Sequence, residues 1–236
     1  MIDVRHSRDR GVTQLDWLYS RHTFSFGGYY DPEHVGISAL RVINDDRVQP
    51  GAGFAAHSHR DMEILSYVKC GAIEHKDNMG NIRVLPAGEF QLMTAGKGIK
   101  HSEYNSSAQD PLEFLQIWIV PDTQGVDPGY QQKRFHPDAG LRLIVSPDGR
   151  DGSLRLHQDA RVFHVRSAHA QAITYSLASG RIAYLHTIAG SFSLDGEVLY
   201  AGDGACIARA DSFTLNVESD SEAFLFDLPK HLSPAD

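Results

Sequence analysis

The sequence predicts an all-β protein made of two tandem units. Three observations carry that expectation. The apolar pattern repeats with period two over short stretches, clusters of turn-forming residues interrupt it, and no long stretch keeps the apolar stripe of a helix. A chain of 236 residues is long enough for two small β units, each with its own core.

The elements follow in order along the chain. Phe24 and Phe26 alternate with Thr23 and Ser25 as in a strand. Ile64, Tyr67 and Val68 form a short apolar run, and residues 114–120 (Phe-Leu-Gln-Ile-Trp-Ile-Val) form a longer one. Residues 223–228 (Ala-Phe-Leu-Phe-Asp-Leu) read as the last strand. Turns are expected at Asn44-Asp45-Asp46, Asn78-Met79-Gly80-Asn81, Pro147-Asp148-Gly149, Asp195-Gly196 and Gly202-Asp203-Gly204. The polar, turn-rich stretch from Pro121 to Pro137 marks the expected division. It gives an N-terminal domain of residues 1–130 and a C-terminal domain of residues 131–236.

Composition narrows the function classes. Lys and Arg number 22 against 30 Asp and Glu, a formal charge of −8. A net negative chain without a basic run has no general attraction for phosphate backbones, so nucleic acid is not an expected partner. Cys70 and Cys206 are the only cysteines, which excludes a disulfide framework and a thiolate cluster. Both sit in apolar stretches and are expected to be buried free thiols. Met1-Ile2-Asp3-Val4-Arg5-His6 lacks the apolar core of a signal peptide, and no apolar run is long enough to span a bilayer. A cytoplasmic protein with no membrane partner is expected, and a monomer suffices.

Thirteen histidines are many for this length. His57-Ser58-His59 is the only His-x-His. In a strand, side chains two apart share a face, so both imidazoles would enter one interior. Glu63 has the same parity and would join them if the strand continues. His101-Ser102-Glu103 repeats the spacing with one imidazole and one carboxylate. If the two strands are neighbours, four donors converge. Such a set suits Fe, Mn, Co, Ni, Cu or Zn rather than Ca or Mg, and it leaves positions open for water, dioxygen or substrate. In the C-terminal half, His157, His164, His169, His186 and His231 stand apart, and no metal site is recognisable there.

These residues carry a resemblance. Gly51, His57, His59 and Glu63 resemble the first motif of the cupin superfamily, and Gly80, Pro86 and Gly88 resemble the start of the second. The fit departs at Gly71, one residue late, and at the second-motif histidine, which appears only at His101. Those departures resemble the pirin family of two-domain cupins. So do Phe24-Ser25-Phe26, the stretches 57–63 and 86–91, the run from Thr94 to Glu103, Leu115-Gln116-Ile117-Trp118, and the terminal Leu225-Phe226-Asp227-Leu228. The resemblance spans essentially the whole chain. It implies two tandem cupin-type jelly-roll barrels.

The family's metal ligands carry over to His57, His59, His101 and Glu103. The later glutamate takes the ligand role, which leaves Glu63 as an outer partner that orients an imidazole or a water, or as a solvent-facing strand residue. The implied cofactor is one divalent transition metal, Fe(II) foremost, with Mn, Ni, Co, Cu or Zn accommodated. The pirin-like quercetin 2,3-dioxygenases imply cleavage of a flavonol-like aromatic substrate with O2, releasing carbon monoxide. On chemical grounds Glu103 is expected to be the catalytic proton acceptor. The alternative is an iron-binding, redox-responsive regulator acting through protein partners.

Other residues carry less. Gly96-Lys97-Gly98 lacks the Walker spacing and reads as a tight turn into the ligand strand. His22 and His75 are expected to be structural, and Trp17, Tyr29 and Tyr30 core or rim. Phe54 and Met62 are expected to wall the pocket. His157 and Asp159 suggest a second pocket that lacks a partner.

Overall fold

The computed structural model describes residues 2–136, 140–208 and 211–231. Met1, Pro137 at the end of the expected dividing stretch, and residues 232–236 of the expected C-terminal domain lie outside them. Strands dominate throughout, with two short 3-10 turns. In chain order the first twelve strands are β1 (Ile2–Arg5), β2 (Gly11–Gln14), β3 (Leu18–His22), β4 (Leu40–Val48), β5 (Gly53–His59), β6 (Glu63–Cys70), β7 (Ala72–Asp77), β8 (Ile82–Pro86), β9 (Glu89–Thr94), β10 (Ile99–Asn105), β11 (Leu112–Ile119) and β12 (Gly129–Arg134). The rest are β13 (Gly140–Ser146), β14 (Leu154–Arg155), β15 (Arg161–Ser167), β16 (Gln171–Ser176), β17 (Arg181–Ala189), β18 (Ser191–Leu194), β19 (Glu197–Tyr200), β20 (Gly204–Ile207), β21 (Ser212–Val217) and β22 (Ser221–Pro229).

Two compact units result. One takes in Gly11–Phe135 and Leu156–Gln158. The other takes in the described residues up to Arg10, His136–Arg155 and the described residues from Asp159 onward. The first strand thus belongs to the later unit, because β1 pairs antiparallel with β20.

Each unit is a cupin-type jelly roll of two open sheets rather than a closed hydrogen-bonded barrel. In the first unit the orders are β12-β9-β6-β11-β4-β3-β2 and β5-β10-β7-β8. In the second they are β1-β20-β17-β22-β15-β13-β14 and β16-β21-β18-β19. The same seven-plus-four arrangement therefore occurs twice.

Alternation explains the packing. Along β10, Ile99, His101, Glu103 and Asn105 are buried while Lys100 and Tyr104 are exposed. Leu18, Val48, Val68, Ile73, Leu85, Leu112 and Phe114 form an apolar core in the first unit. The inner face of its seven-stranded sheet also carries a polar row. His22 pairs with Asn44, Asn44 with Gln116, Gln116 with Ser66, Ser66 with Gln91 and Gln91 with Gln132, each on the next strand. The second unit's core is built around Val165, Leu185, Phe192, Leu215 and Leu225.

Four expectations are corrected. Asn44-Asp45-Asp46 lies inside β4, because His22 and Lys69 supply polar partners for Asn44 and Asp45. Phe24 and Phe26 follow the end of β3 and form no strand; Gly27, at φ 58, turns the backbone, and Phe26 bridges Tyr29. Cys70 is exposed and Cys206 half-buried, both as free thiols. Cys70 ends β6 just before Gly71 turns at φ 80, past the strand's buried stretch. Glu63 does not continue the strand of His57 and His59, because Asp61 adopts φ 47 between β5 and β6. The expected turns at residues 78–81 and at Asp195-Gly196 do join strands, as does Gly96-Lys97-Gly98 ahead of β10.

Candidate metal centre

The two His/Glu strands are neighbours. β5 and β10 pair antiparallel, with His57 opposite His101 and His59 opposite Ile99. A register shift between His101 and Glu103 sets Glu103 opposite Phe54. Such a bulge re-aims side chains locally. Gly53 permits the close approach, because a Cβ there would lie 2.3 Å from the Glu103 carbonyl oxygen.

One nitrogen each from His57, His59 and His101 falls within 4.8 Å of the others. Their ring centroids are 4.5 to 4.9 Å apart. Glu103 falls in an overlapping group with His101 and His75. His101 is therefore common to both groups. Among the described residues both groups lie in the first unit.

The donor atoms suit a metal. The His57 Nδ1–H donates to the Ala55 carbonyl at 2.8 Å, which leaves Nε2 bare. His101 Nε2 and Glu103 Oε1 are buried and make no hydrogen bond. Buried polar atoms ordinarily have a partner, so two orphans in one ligand group fit a bound cation. Burial lowers the pKa of His59 to about 4 and of His101 to about 3, with His57 nearby adding to both effects. Neutral imidazoles are the form that binds metals. Desolvation pushes Glu103 up to about 7, and Asp46 adds to it, against the polar side chains of Gln91, Gln116 and Ser66.

A chain of donors reaches Glu103 from the seven-stranded sheet. The Trp118 Nε1–H donates to Gln116 Oε1 at 3.1 Å, so the Gln116 amide must turn its Nε2 to Glu103 Oε2, also at 3.1 Å. Trp118 packs edge-on against His59 at 5.0 Å and against Phe26 at 5.4 Å. Both Trp118 and Gln116 line a cavity of about 630 Å3 with His57, His59, Phe26 and Phe54. Trp17, His22 and Asp46 also line it. His22 is held from both sides: its Nδ1–H donates to Asn44 Oδ1 at 2.7 Å, and Thr13 Oγ1 donates to its Nε2 at 2.8 Å.

The remaining candidates are distributed as follows. Glu63 is buried, not solvent-facing, and lies in neither donor group. It accepts from Thr94 Oγ1 at 2.8 Å, and from the backbone N and ring Nδ1 of His157 at 3.2 and 2.8 Å. The imidazole it orients is thus His157, which has a partner after all. Phe54 lines the cavity as expected, whereas Met62 is not among its lining residues and packs against the cluster of Ile64, Met93, Ala95 and Ile99; Tyr30 is exposed. Sequence reasoning missed Gln116, Trp118, Asp46 and the pair His75 and Asp77. A signal existed for some. His75-Lys76-Asp77 is a third i, i+2 pair of donors, and Gln116 is the one polar residue within an apolar run.

A two-domain cupin with a histidine-rich pocket in its first unit is the class that fold and site define. The Pirin family profile matches residues 3–119, and the profile of the quercetinase C-terminal cupin domain matches residues 143–228. The quercetin 2,3-dioxygenase of Escherichia coli (strain K12) is 45% identical over 229 residues, covering 97% of this chain and 99% of that protein. A bacterial pirin of Escherichia coli, solved in complex with nickel(II), superposes with a TM-score of 0.94 at 45% identity, covering 97% of this chain and 99% of that one. A quercetin 2,3-dioxygenase of Acinetobacter baumannii shares the fold at 20% identity, with a TM-score of 0.76 over 93% of this chain and 84% of that one. The chain belongs to the pirin family.

Proposed function

We propose that the N-terminal domain binds one divalent transition metal through His57, His59, His101 and Glu103, and that the protein cleaves a flavonol-like aromatic substrate with O2. The observation that carries this reading is the convergence of three imidazoles within 4.8 Å, two of which, His57 and His59, line a large cavity with Phe26, Phe54 and Trp118. The nickel complex of the similar pirin and the name of the similar dioxygenase support the same reading. The donor set accepts Fe(II), Ni or another first-row ion.

The metal, when bound, supplies Lewis acidity that lowers the pKa of a substrate hydroxyl. The residues do the rest. Phe26, Phe54 and Trp118 give the cavity flat apolar walls that fit a planar aromatic guest. Glu103 accepts the hydroxyl proton. Gln116 holds Glu103 Oε2 and leaves Oε1 without a hydrogen bond. Ring cleavage consumes one O2 and releases carbon monoxide.

Incubating metal-loaded protein with quercetin in air tests the reading. Loss of flavonol absorbance is expected with metal and not after chelation. Glu103→Gln is expected to cut turnover by about 100-fold or more, the scale of a general base, while metal content changes less. Equal turnover by Glu103→Gln contradicts the proton-acceptor role, and no turnover by the loaded wild type contradicts the reaction.

A further inference from the structure

A carboxylate and an imidazole stand behind His101. β7 pairs with β10 on the side away from β5, with His75 opposite Glu103 and Asp77 opposite His101. His75 Nε2 lies 3.1 Å from Asp77 Oδ2, and His75 Nδ1 lies 3.5 Å from His101 Nδ1. Both the His75 and Asp77 side chains are fully buried. Asp77 is itself anchored. Its Oδ1 accepts from the backbone N–H groups of Met79 and Asn81, each at 3.0 Å, and its Oδ2 accepts from Asn81 Nδ2 at 2.8 Å.

We propose that Asp77 and His75 are positioning residues that act through His101, fixing its imidazole as the tautomer with the proton on Nδ1 and the lone pair on Nε2. Donors and acceptors fix the assignment. An ionised carboxylate only accepts, so His75 carries its proton on Nε2. His101 Nε2 is buried with no acceptor, whereas its Nδ1 faces His75 Nδ1, so a His101 proton has a partner only on Nδ1 and the His75 Nδ1 opposite it is bare. That nitrogen accepts, so His101 donates from Nδ1. Nε2 of His101 is left as a buried lone pair with no donor on it. No proton leaves the chain; the three groups share two protons in one register. His75 is thereby excluded as a ligand, although its nitrogen belongs to a donor group with His101 and Glu103. Outer partners of this kind typically change metal affinity 10- to 100-fold. The inference rests on the proposed metal site, and its test separates the two.

Asp77→Asn reverses the register without changing shape. The oxygen of the introduced amide stays on the Met79 and Asn81 backbone N–H groups, the Asn81 side-chain amide turns over to present its oxygen, and the introduced amide donates one N–H to it and the other to His75. His75 then takes its proton on Nδ1, and His101 is driven to the Nε2–H tautomer. The experiment is long-range 1H–15N correlation of metal-free wild type, with His75 and His101 assigned by single His→Gln replacements, combined with nickel(II) titration of wild type, Asp77→Asn and His75→Asn. His101 protonated on Nδ1 and His75 on Nε2 is the expected pattern. Asp77→Asn is expected to weaken nickel binding by about 10- to 100-fold. His75→Asn, which keeps an acceptor oxygen where Nδ1 stood, is expected to retain most of the affinity. A His101 proton on Nε2 in wild type overturns the proposal, as does Asp77→Asn binding nickel as tightly as wild type. If Asp77→Asn does not fold, the wild-type pattern decides alone. If wild type binds no nickel, the metal site fails while the tautomer pattern still stands or falls separately.

Discussion

At the scale of single residues, Glu103 is the most informative. A carboxyl with an ordinary pKa near 4.5 is pushed up to about 7 by complete burial. The sign follows from linkage. Below about 4.5 the group is protonated in both folded and unfolded chains, and burial costs nothing through ionisation. As pH rises through 4.5 toward 7 the unfolded chain releases the proton first, so metal-free protein loses stability. The loss is complete above about 7 and amounts to about 3 kcal/mol, at 1.36 kcal/mol per pH unit. Glu103→Gln removes the ionisation. Chemical unfolding of metal-free wild type and variant at pH 5 and pH 8 is therefore expected to show the wild type losing about 2.5 kcal/mol more between the two conditions. An unchanged difference contradicts the burial argument. His59 and His101 act in the opposite sense. Their lowered pKa values make stability present above about 6.5 and lost as pH falls toward 4 and 3. Because both proteins carry those histidines, the comparison isolates Glu103.

At the scale of elements, the metal site depends on how closely β5 approaches β10. A Cβ on Gly53 would meet the Glu103 carbonyl oxygen at 2.3 Å and Tyr104 Cα at 2.5 Å. Both are backbone atoms, so the strands themselves must part. Gly53→Ala is expected to weaken nickel binding by about tenfold or more, comparable to losing an outer partner of a ligand. Gly28→Ala, whose Cβ would meet nothing within 4 Å, serves as the control with unchanged affinity. Isothermal titration with nickel(II) measures both, and equal affinities contradict the close approach as a requirement of the site.

The same elements show what was legible in the sequence. The i, i+2 parity of His57/His59 and His101/Glu103 announced two strands that present donors, since side-chain alternation is a local property. The bulge between His101 and Glu103 was not legible, because it comes from pairing with β5 rather than from β10 alone. Asn44 and Asp46 read as a turn because their local preference is for turns. Cross-strand partners overrode it. Glu63 shared the parity of the histidines, but Asp61 in the left-handed region ended that face.

At the scale of the whole molecule, a two-unit β protein was legible from period and length. The first strand was not, since β1 hydrogen-bonds a strand far along the chain, Ile2 facing Ile207. The like architecture of the two units was legible through the family resemblance, and among the described residues the first unit alone gathers three imidazoles. Anomalous diffraction at the nickel edge from crystals of nickel-loaded protein tests the four-ligand centre most directly. A single strong peak is expected at about 2.0–2.2 Å from a nitrogen of each of His57, His59 and His101 and from a Glu103 oxygen. A peak elsewhere, or none at that point in fully loaded protein, would contradict it.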